Sequence, residues 1–237
     1  MNQQLPLGLR LPNTTRLSDF IAGNNQELLA LLQAQRDSNQ QAIIYLTGEP
    51  HSGRTHLLMG QCQQAQTQGM QTAYLPCSEL LNLSPTVLEG LAKFQLLAID
   101  DVEQLAGHSA WEEALFYLFN QAQEHGCRLL FSAQQAAQHS GFTLADLSSR
   151  LGWGITYRLK PLDDPQRAQL LINLAARHGL QMPAEVAHYV IRHEARDIPH
   201  LTALVAQLDH ASLAAQRRLT LPFVRDQLQT SSATFSS

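Results

Sequence analysis

An α/β fold, a parallel sheet covered by helices on both faces and followed by an all-helical unit, is predicted by three observations in this 237-residue sequence. Five short apolar runs alternate with helical segments as far as residue 160, the pattern of strand–helix–strand crossovers. The first of these runs opens directly into GEPHSGRT (48–55), a glycine-bounded turn that leads into a helix. After Pro161 four helical segments follow one another with no strand between them. The expected division is an extended arm over 1–23, an α/β domain over 24–161, a helical domain over 162–230 and a disordered tail over 231–237.

The arm contains Pro, Gly, Asn and Thr without helical period. Leu28, Leu29, Leu31 and Leu32 then share one broad face of QELLALLQAQ (26–35), a helix for which Asn25 is the expected cap. AIIYLT (42–47) reads as a buried strand, and HLLMGQCQQAQTQG (56–69) as a helix stopped at Gly69. QTAYLP (71–76) is the second strand. Ser84 and Pro85 place a cap and a helix-starting proline before TVLEGL. FQLLAIDD (94–101) is the third strand. Ser109 and Glu112 have the spacing of a capping box for a long helix ended by Gly126, and CRLLFS (127–132) follows as the fourth strand. A short helix, TLADLSSRL, precedes a fifth strand over 155–160. The helical unit divides into 164–178, 183–195, 197–218 and 221–229, punctuated by Gly179, Pro183, Thr220 and Pro222.

Composition narrows the function. Only 15% of the residues are charged, against about 25% in an ordinary soluble domain. The polarity is supplied largely by 27 Gln, while 41 Leu supply the interior. A net charge of −4 argues against a chain that holds DNA or RNA by itself, because that binding is driven by Lys and Arg neutralising phosphates. The longest apolar run, Ala114 to Phe119, is far too short to span a membrane, and the N-terminus does not resemble a secretory signal, so a cytoplasmic protein is expected. Cys62, Cys77 and Cys127 lack metal-binding spacing and are expected to be buried free thiols.

GEPHSGRT fits G-x-x-x-x-G-[basic]-[ST], placed between a strand and a helix as a phosphate loop must be. After Gly48, backbone N–H groups from His51, Ser52 and Gly53, with those of the helix start at Arg54, Thr55 and His56, can converge on phosphate oxygens. Thr55 can turn its hydroxyl to Mg²⁺. Arg54 stands where Lys is usual; its planar fork can clamp phosphate oxygens but need not reach the β/γ bridge. LLAIDD places Asp100 at the end of a buried strand, where a carboxylate can hold the metal on a bound nucleotide, with Asp101 near an attacking water. Adjacent acids after a strand can also be a solvated turn. Arg150 ends a short helix before the turn Leu151-Gly152-Trp153-Gly154. It is either a dipole-stabilised terminus or an arginine finger that reaches another subunit's γ-phosphate.

The motif order resembles that of the AAA+ ATPases, and more narrowly the DnaA-type initiators of bacterial replication. The segments LAIDDVEQLAGHSAWEEALF (97–116), DLSSRLGWGITYRLKPL (146–162) and QLDHASLAAQRRLTLPFV (207–224) are similar to the short DnaA homologues that inactivate the initiator. The resemblance implies an AAA+ core followed by a helical lid, with Phe20 and Ile21 of SDFIAGNNQELL (18–29) lining the base of the nucleotide. It also implies that Gln4, Leu5, Leu7 and Leu9 form a sliding-clamp-binding peptide, in which alternate leucines enter an apolar pocket and Gln meets the rim. The initiators' basic DNA-binding domain is not found after the lid.

Three positions depart from the initiators: Arg54 in the loop, Gln134 at the first sensor, and Pro199 at the second, where Arg196 and His200 are the nearest basic residues. These changes weaken recognition of a γ-phosphate. Stable binding of ADP or another nucleoside diphosphate, with Mg²⁺ carried through the nucleotide, is therefore expected over strong intrinsic ATPase activity. The function implied is negative regulation of DNA replication initiation. Bound to the DNA-loaded β sliding clamp of DNA polymerase III, the protein would insert Arg150 into DnaA and stimulate hydrolysis of its ATP. Its partners would be DnaA, the clamp and further copies of itself in a homodimer or higher oligomer, with DNA met only indirectly. The alternatives are a helicase-loader type of AAA+ ATPase that hydrolyses its own ATP, and an adaptor with a vestigial nucleotide site.

Overall fold

The computed structural model describes residues 15–37, 43–194 and 197–234. It separates into two compact units, one up to Pro161 and one from Leu162 onward.

In the first unit the order is α1 (Gln26–Asp37), β1 (Ile43–Thr47), α2 (Arg54–Thr67), β2 (Thr72–Pro76), α3 (Cys77–Leu80), β3 (Leu96–Asp100), α4 (Ser109–His125), β4 (Arg128–Ala133), α5 (Ala145–Leu151) and β5 (Ile155–Arg158). The five strands form one sheet in the order β2-β3-β4-β1-β5, and every pairing is parallel. Strands buried on both faces read as continuous apolar runs, but their side chains still alternate. Ile44 and Leu46 join Leu28, Leu57, Leu58 and Ala98 on one side of the sheet. Tyr45 joins Leu97, Ile99, Phe119 and Phe131 on the other. Each fully buried side chain of this size contributes about 1.5–3 kcal/mol.

Several elements differ from expectation for identifiable reasons. The side chain of Asn25 is exchanged with the backbone of Lys160, donating from Nδ2 to the carbonyl at 2.9 Å and accepting the N–H at 2.8 Å, so it ties α1 to the end of the sheet. Ser84 does accept from the Thr86 N–H, but TVLEGL makes only a 3₁₀ turn over Pro85–Leu88, because Gly90 turns left-handed at φ 78°. The Ser109–Glu112 box does not form: His108 precedes the helix as its cap, and Glu112 is turned inward to other donors. A capping box forms instead at Asp163 and Gln166.

The second unit comprises α6 (Asp164–Arg177), α7 (Ala184–His193), α8 (Ile198–Ala215) and α9 (Leu221–Thr234), so the last helix runs past the end expected at 229. Its own core gathers Leu171, Val186, Val190, Leu201, Val205 and Val224. The three cysteines are free and buried, as expected. Among the described residues no helix is long and apolar enough to cross a membrane.

Candidate functional site

The sheet order brings the C-terminal ends of β1 and β3 to either side of β4, and the loop after β1 rises at this edge. Open α/β sheets bind ligands at such an edge. Within the loop, the Ser52 N–H donates to the Glu49 carbonyl at 3.1 Å, and His51 and Gly53 take positive φ values of 63° and 96°. A left-handed residue in such a turn points successive N–H groups to one side, which makes a concavity for an anion. Gly53 is required there, since a side chain would also meet the Phe20 ring at 3.0 Å. The 14-residue α2 starts next, so its first-turn N–H groups and positive dipole end face the same space. Ser52 Oγ is buried with no hydrogen-bond partner among the described residues. These features fit a phosphate group.

Phe20 lies beside the loop, with its ring centre 6.0 Å from that of His56. His56 Nε2 meets the Arg16 carbonyl at 2.9 Å, and Leu17 packs on Gly60, so residues 15–21 are drawn along α2. Ile21 is half-buried in this segment, while His51 and Thr55 are exposed. Phe20 and the loop are thus brought together.

Arg54 is turned differently from the expectation. Its guanidinium is buried, donating from Nη1 to the Gly48 carbonyl at 2.9 Å and from Nη2 to Asp101 Oδ1 at 2.8 Å. A buried guanidinium demands a carboxylate partner, and the long Arg fork reaches the one at the end of β3. Asp101 takes a left-handed conformation at φ 52°, and its N–H donates to Ser132 Oγ at 2.9 Å. Burial pushes its carboxyl above the usual carboxylate range, the charge of Asp100 adds to this, and Arg54 opposes it.

Asp100 is 4% exposed and has both oxygens occupied. Oδ2 accepts from Tyr74 Oη at 2.7 Å, and Oδ1 accepts a short bond from Ser132 Oγ. Tyr74 and Ser132 were not singled out from the sequence; the only signal is that each is a polar group inside a run of strand residues. The expected Mg²⁺ position on Thr55 and Asp100 therefore does not fit the side chains, because the carboxylate is capped by two hydroxyls and closed off from solvent. Glu103 accepts the Gln134 N–H at 3.0 Å, and burial raises its pKa.

Arg150 belongs to a second feature. Its guanidinium carbon lies 4.4 Å from the centre of the Trp153 ring and 5.6 Å from that of Phe116. Trp153 is 62% exposed, so the cation is held on an aromatic shelf at the surface. The start of α5 is fixed by Glu112, which sequence reasoning assigned to a cap. Its fully buried carboxylate accepts the N–H groups of Gly107 (2.7 Å), Thr143 (3.0 Å) and Leu144 (2.7 Å) and the Thr143 hydroxyl (3.0 Å).

In the second unit Pro199 occupies the first turn of α8, behind the Asp197 cap, and His200 Nε2 pairs with Glu194 at 3.0 Å. Arg196 and the clamp-motif residues Gln4, Leu5, Leu7 and Leu9 lie outside the described residues.

Two family models match this chain. "Bacterial DnaA ATPase domain" covers residues 11–158, and "Hda, lid domain" covers residues 164–228. Among solved structures, domain III of the replication initiation protein DnaA from Thermotoga maritima is similar at 19% identity and a TM-score of 0.80, covering 93% of this chain and 98% of that one. A replication initiator DnaA bound to AMPPCP and single-stranded DNA gives 20% identity and a TM-score of 0.69, over 84% of this chain and 65% of that chain. The Thermotoga maritima RuvB Holliday junction branch migration motor gives 17% identity and a TM-score of 0.70, over 93% and 72% respectively. These structural likenesses establish the fold, an AAA+ α/β domain followed by a helical lid. The match over residues 11–158 establishes more: this chain belongs to the bacterial DnaA ATPase-domain family, with a lid of the Hda type.

Proposed function

We propose that this DnaA-related AAA+ replication regulator holds a nucleoside diphosphate and acts on the ATP bound to DnaA. Docked against the initiator's AAA+ domain, it supplies Arg150 to the γ-phosphate and so converts DnaA to its inactive ADP form. The observation that carries this reading is the placement of Arg150 on the exposed ring of Trp153, a rigid aromatic seat for a cation that serves a partner. An arginine finger in trans stabilises charge developing on the transferred phosphoryl group, an effect on the order of 10³–10⁵ in rate.

The chain's own loop serves a different purpose in this reading. Arg54 is committed to Asp101, and Gln134 is exposed at the first-sensor position, so the groups that would activate a γ-phosphate here are diverted or missing. Bound ADP keeps the AAA+ domain in its docking shape. The Gln4–Leu9 peptide holds the regulator on the sliding clamp, which confines its action to replicating DNA and leaves the chain no need of a basic surface.

The test is hydrolysis of ATP preloaded on DnaA, followed with clamp-loaded DNA in the presence and absence of this protein. Acceleration that depends on the protein, the clamp and ADP is expected. Vigorous ATP turnover and ATP-driven self-assembly by the isolated protein, without effect on DnaA, would instead mark a helicase-loader type of ATPase.

A further inference from the structure

The hydroxyl caps on Asp100 have a consequence for the nucleotide. In phosphate-loop proteins a divalent cation bridges phosphate oxygens to the loop hydroxyl and to the carboxylate at the end of the neighbouring strand. Mg²⁺ demands near-ideal octahedral geometry and keeps several of its waters, so that carboxylate must be open to a hydrated ion. Here Tyr74 from β2 and Ser132 from β4 close over Asp100 from both sides, and the side chain is 4% exposed. The next acid is equally committed. Asp101 Oδ1 is held by Arg54 Nη2, and its backbone N–H is fixed on the same Ser132 hydroxyl. Five residues from three neighbouring strands, the turn after β3 and the first turn of α2 thus form one closed network, Tyr74–Asp100–Ser132 and Asp101–Arg54, where an open carboxylate would be needed.

We infer that the phosphate loop of this chain binds a nucleoside diphosphate without a divalent cation, its phosphate charge being met by the loop N–H groups and the start of α2, while the buried Arg54 guanidinium holds the loop in place through the Gly48 carbonyl. Arg suits this positioning task because its donors are spread over a planar fork, so that Nη1 reaches the Gly48 carbonyl while Nη2 holds Asp101. A Lys ammonium, with three donors at one point, could not span Gly48 and Asp101 in the same way. The charges also select the ligand. Two carboxylates stand beside one guanidinium, so without a divalent cation each further phosphate charge is disfavoured, and a diphosphate is preferred to a triphosphate.

This inference rests on the reading of the loop as a nucleotide site, and the two can fail separately. ADP is titrated into the full-length, nucleotide-stripped protein in excess Mg²⁺ and again in excess EDTA. The dissociation constants are expected to agree within about twofold. Binding in Mg²⁺ that weakens about tenfold or more in EDTA overturns the inference and leaves the nucleotide reading standing. Absence of ADP binding in both buffers overturns both. In the double variant Tyr74→Phe/Ser132→Ala the Asp100 carboxylate is uncovered, and ADP affinity should acquire a Mg²⁺ dependence of about tenfold. If the folded variant, checked by circular dichroism, stays indifferent to Mg²⁺, the hydroxyl caps are not what excludes the cation and the inference falls.

Discussion

Arg54 Nη2 donates to Asp101 Oδ1 at 2.8 Å, joining the first residue of α2 to the residue that follows β3. The pair is asymmetric in burial, since the side chain of Arg54 is 7% exposed and that of Asp101 is 34% exposed. Solvent screens the aspartate, so Arg54→Ala should cost about 1–3 kcal/mol, less than breaking a fully buried pair. It should also abolish the rise in melting temperature that ADP is expected to give the wild type. Thermal unfolding with and without ADP checks both. A variant that melts like the wild type and is still stabilised by ADP would show that the pair supports neither the fold nor the ligand.

Glu112 governs the acid side of the stability curve. Burial acts to raise its pKa, but the donated N–H groups of Leu144, Thr143 and Gly107 and the Thr143 hydroxyl outweigh it, and the folded value lies below the usual carboxylate range. A depressed folded pKa contributes stability that is present above the unfolded pKa and is lost as pH falls through the folded one. Glu112→Gln should therefore destabilise by about 1–3 kcal/mol at neutral pH, with the difference from wild type shrinking as pH falls below about 4. Asp101 and Glu103, whose folded values are raised, carry the opposite sign and lose stability as pH rises through them, in both proteins alike. Urea unfolding across this pH range is the measurement. A gap between the curves that stays constant with pH would mean that the glutamate acts by packing alone.

Gly154 is fixed by close approach. A Cβ there would run into the Ile43 carbonyl oxygen and sit 2.6 Å from the Ile43 Cβ, so β1 and β5 could not keep their spacing. Gly154→Ala should cost about 1–3 kcal/mol or more as overpacking, and it should shift the fluorescence of neighbouring Trp153. Wild-type stability and emission in the alanine variant would contradict this packing.

The proposed clamp-binding role of the N-terminal segment is tested by deleting residues 1–9. The shortened chain should lose co-elution with the sliding clamp while keeping its ADP-dependent melting temperature. Unchanged co-elution would make Gln4, Leu5, Leu7 and Leu9 incidental.

Legibility in the sequence followed the range of the interaction. The strands were readable because Ile44–Leu46, Leu96–Ile99 and Leu129–Phe131 are buried on both faces and so form unbroken apolar runs. The phosphate loop was readable because its glycines and its place between strand and helix are local. Arg54 was assigned to phosphate because its partner lies 47 positions away and is reached only through the strand order. Glu112 had the spacing of a cap, yet Thr143 and Leu144 lie 31 and 32 positions downstream and take its carboxylate instead. The covering of Asp100 by Tyr74 and Ser132 is likewise a product of register, since β2 and β4 flank β3. Residues contributed by neighbouring strands cannot be paired until the sheet is known.

Single-turnover hydrolysis of ATP already bound to DnaA, measured with clamp-loaded DNA and either the wild-type protein or Arg150→Ala, tests the regulator most directly. The wild type should accelerate hydrolysis strongly, and Arg150→Ala should lose about 10³-fold or more of that acceleration while still binding ADP and the clamp. Equal acceleration by the two proteins would contradict a role for Arg150 in the initiator's active site.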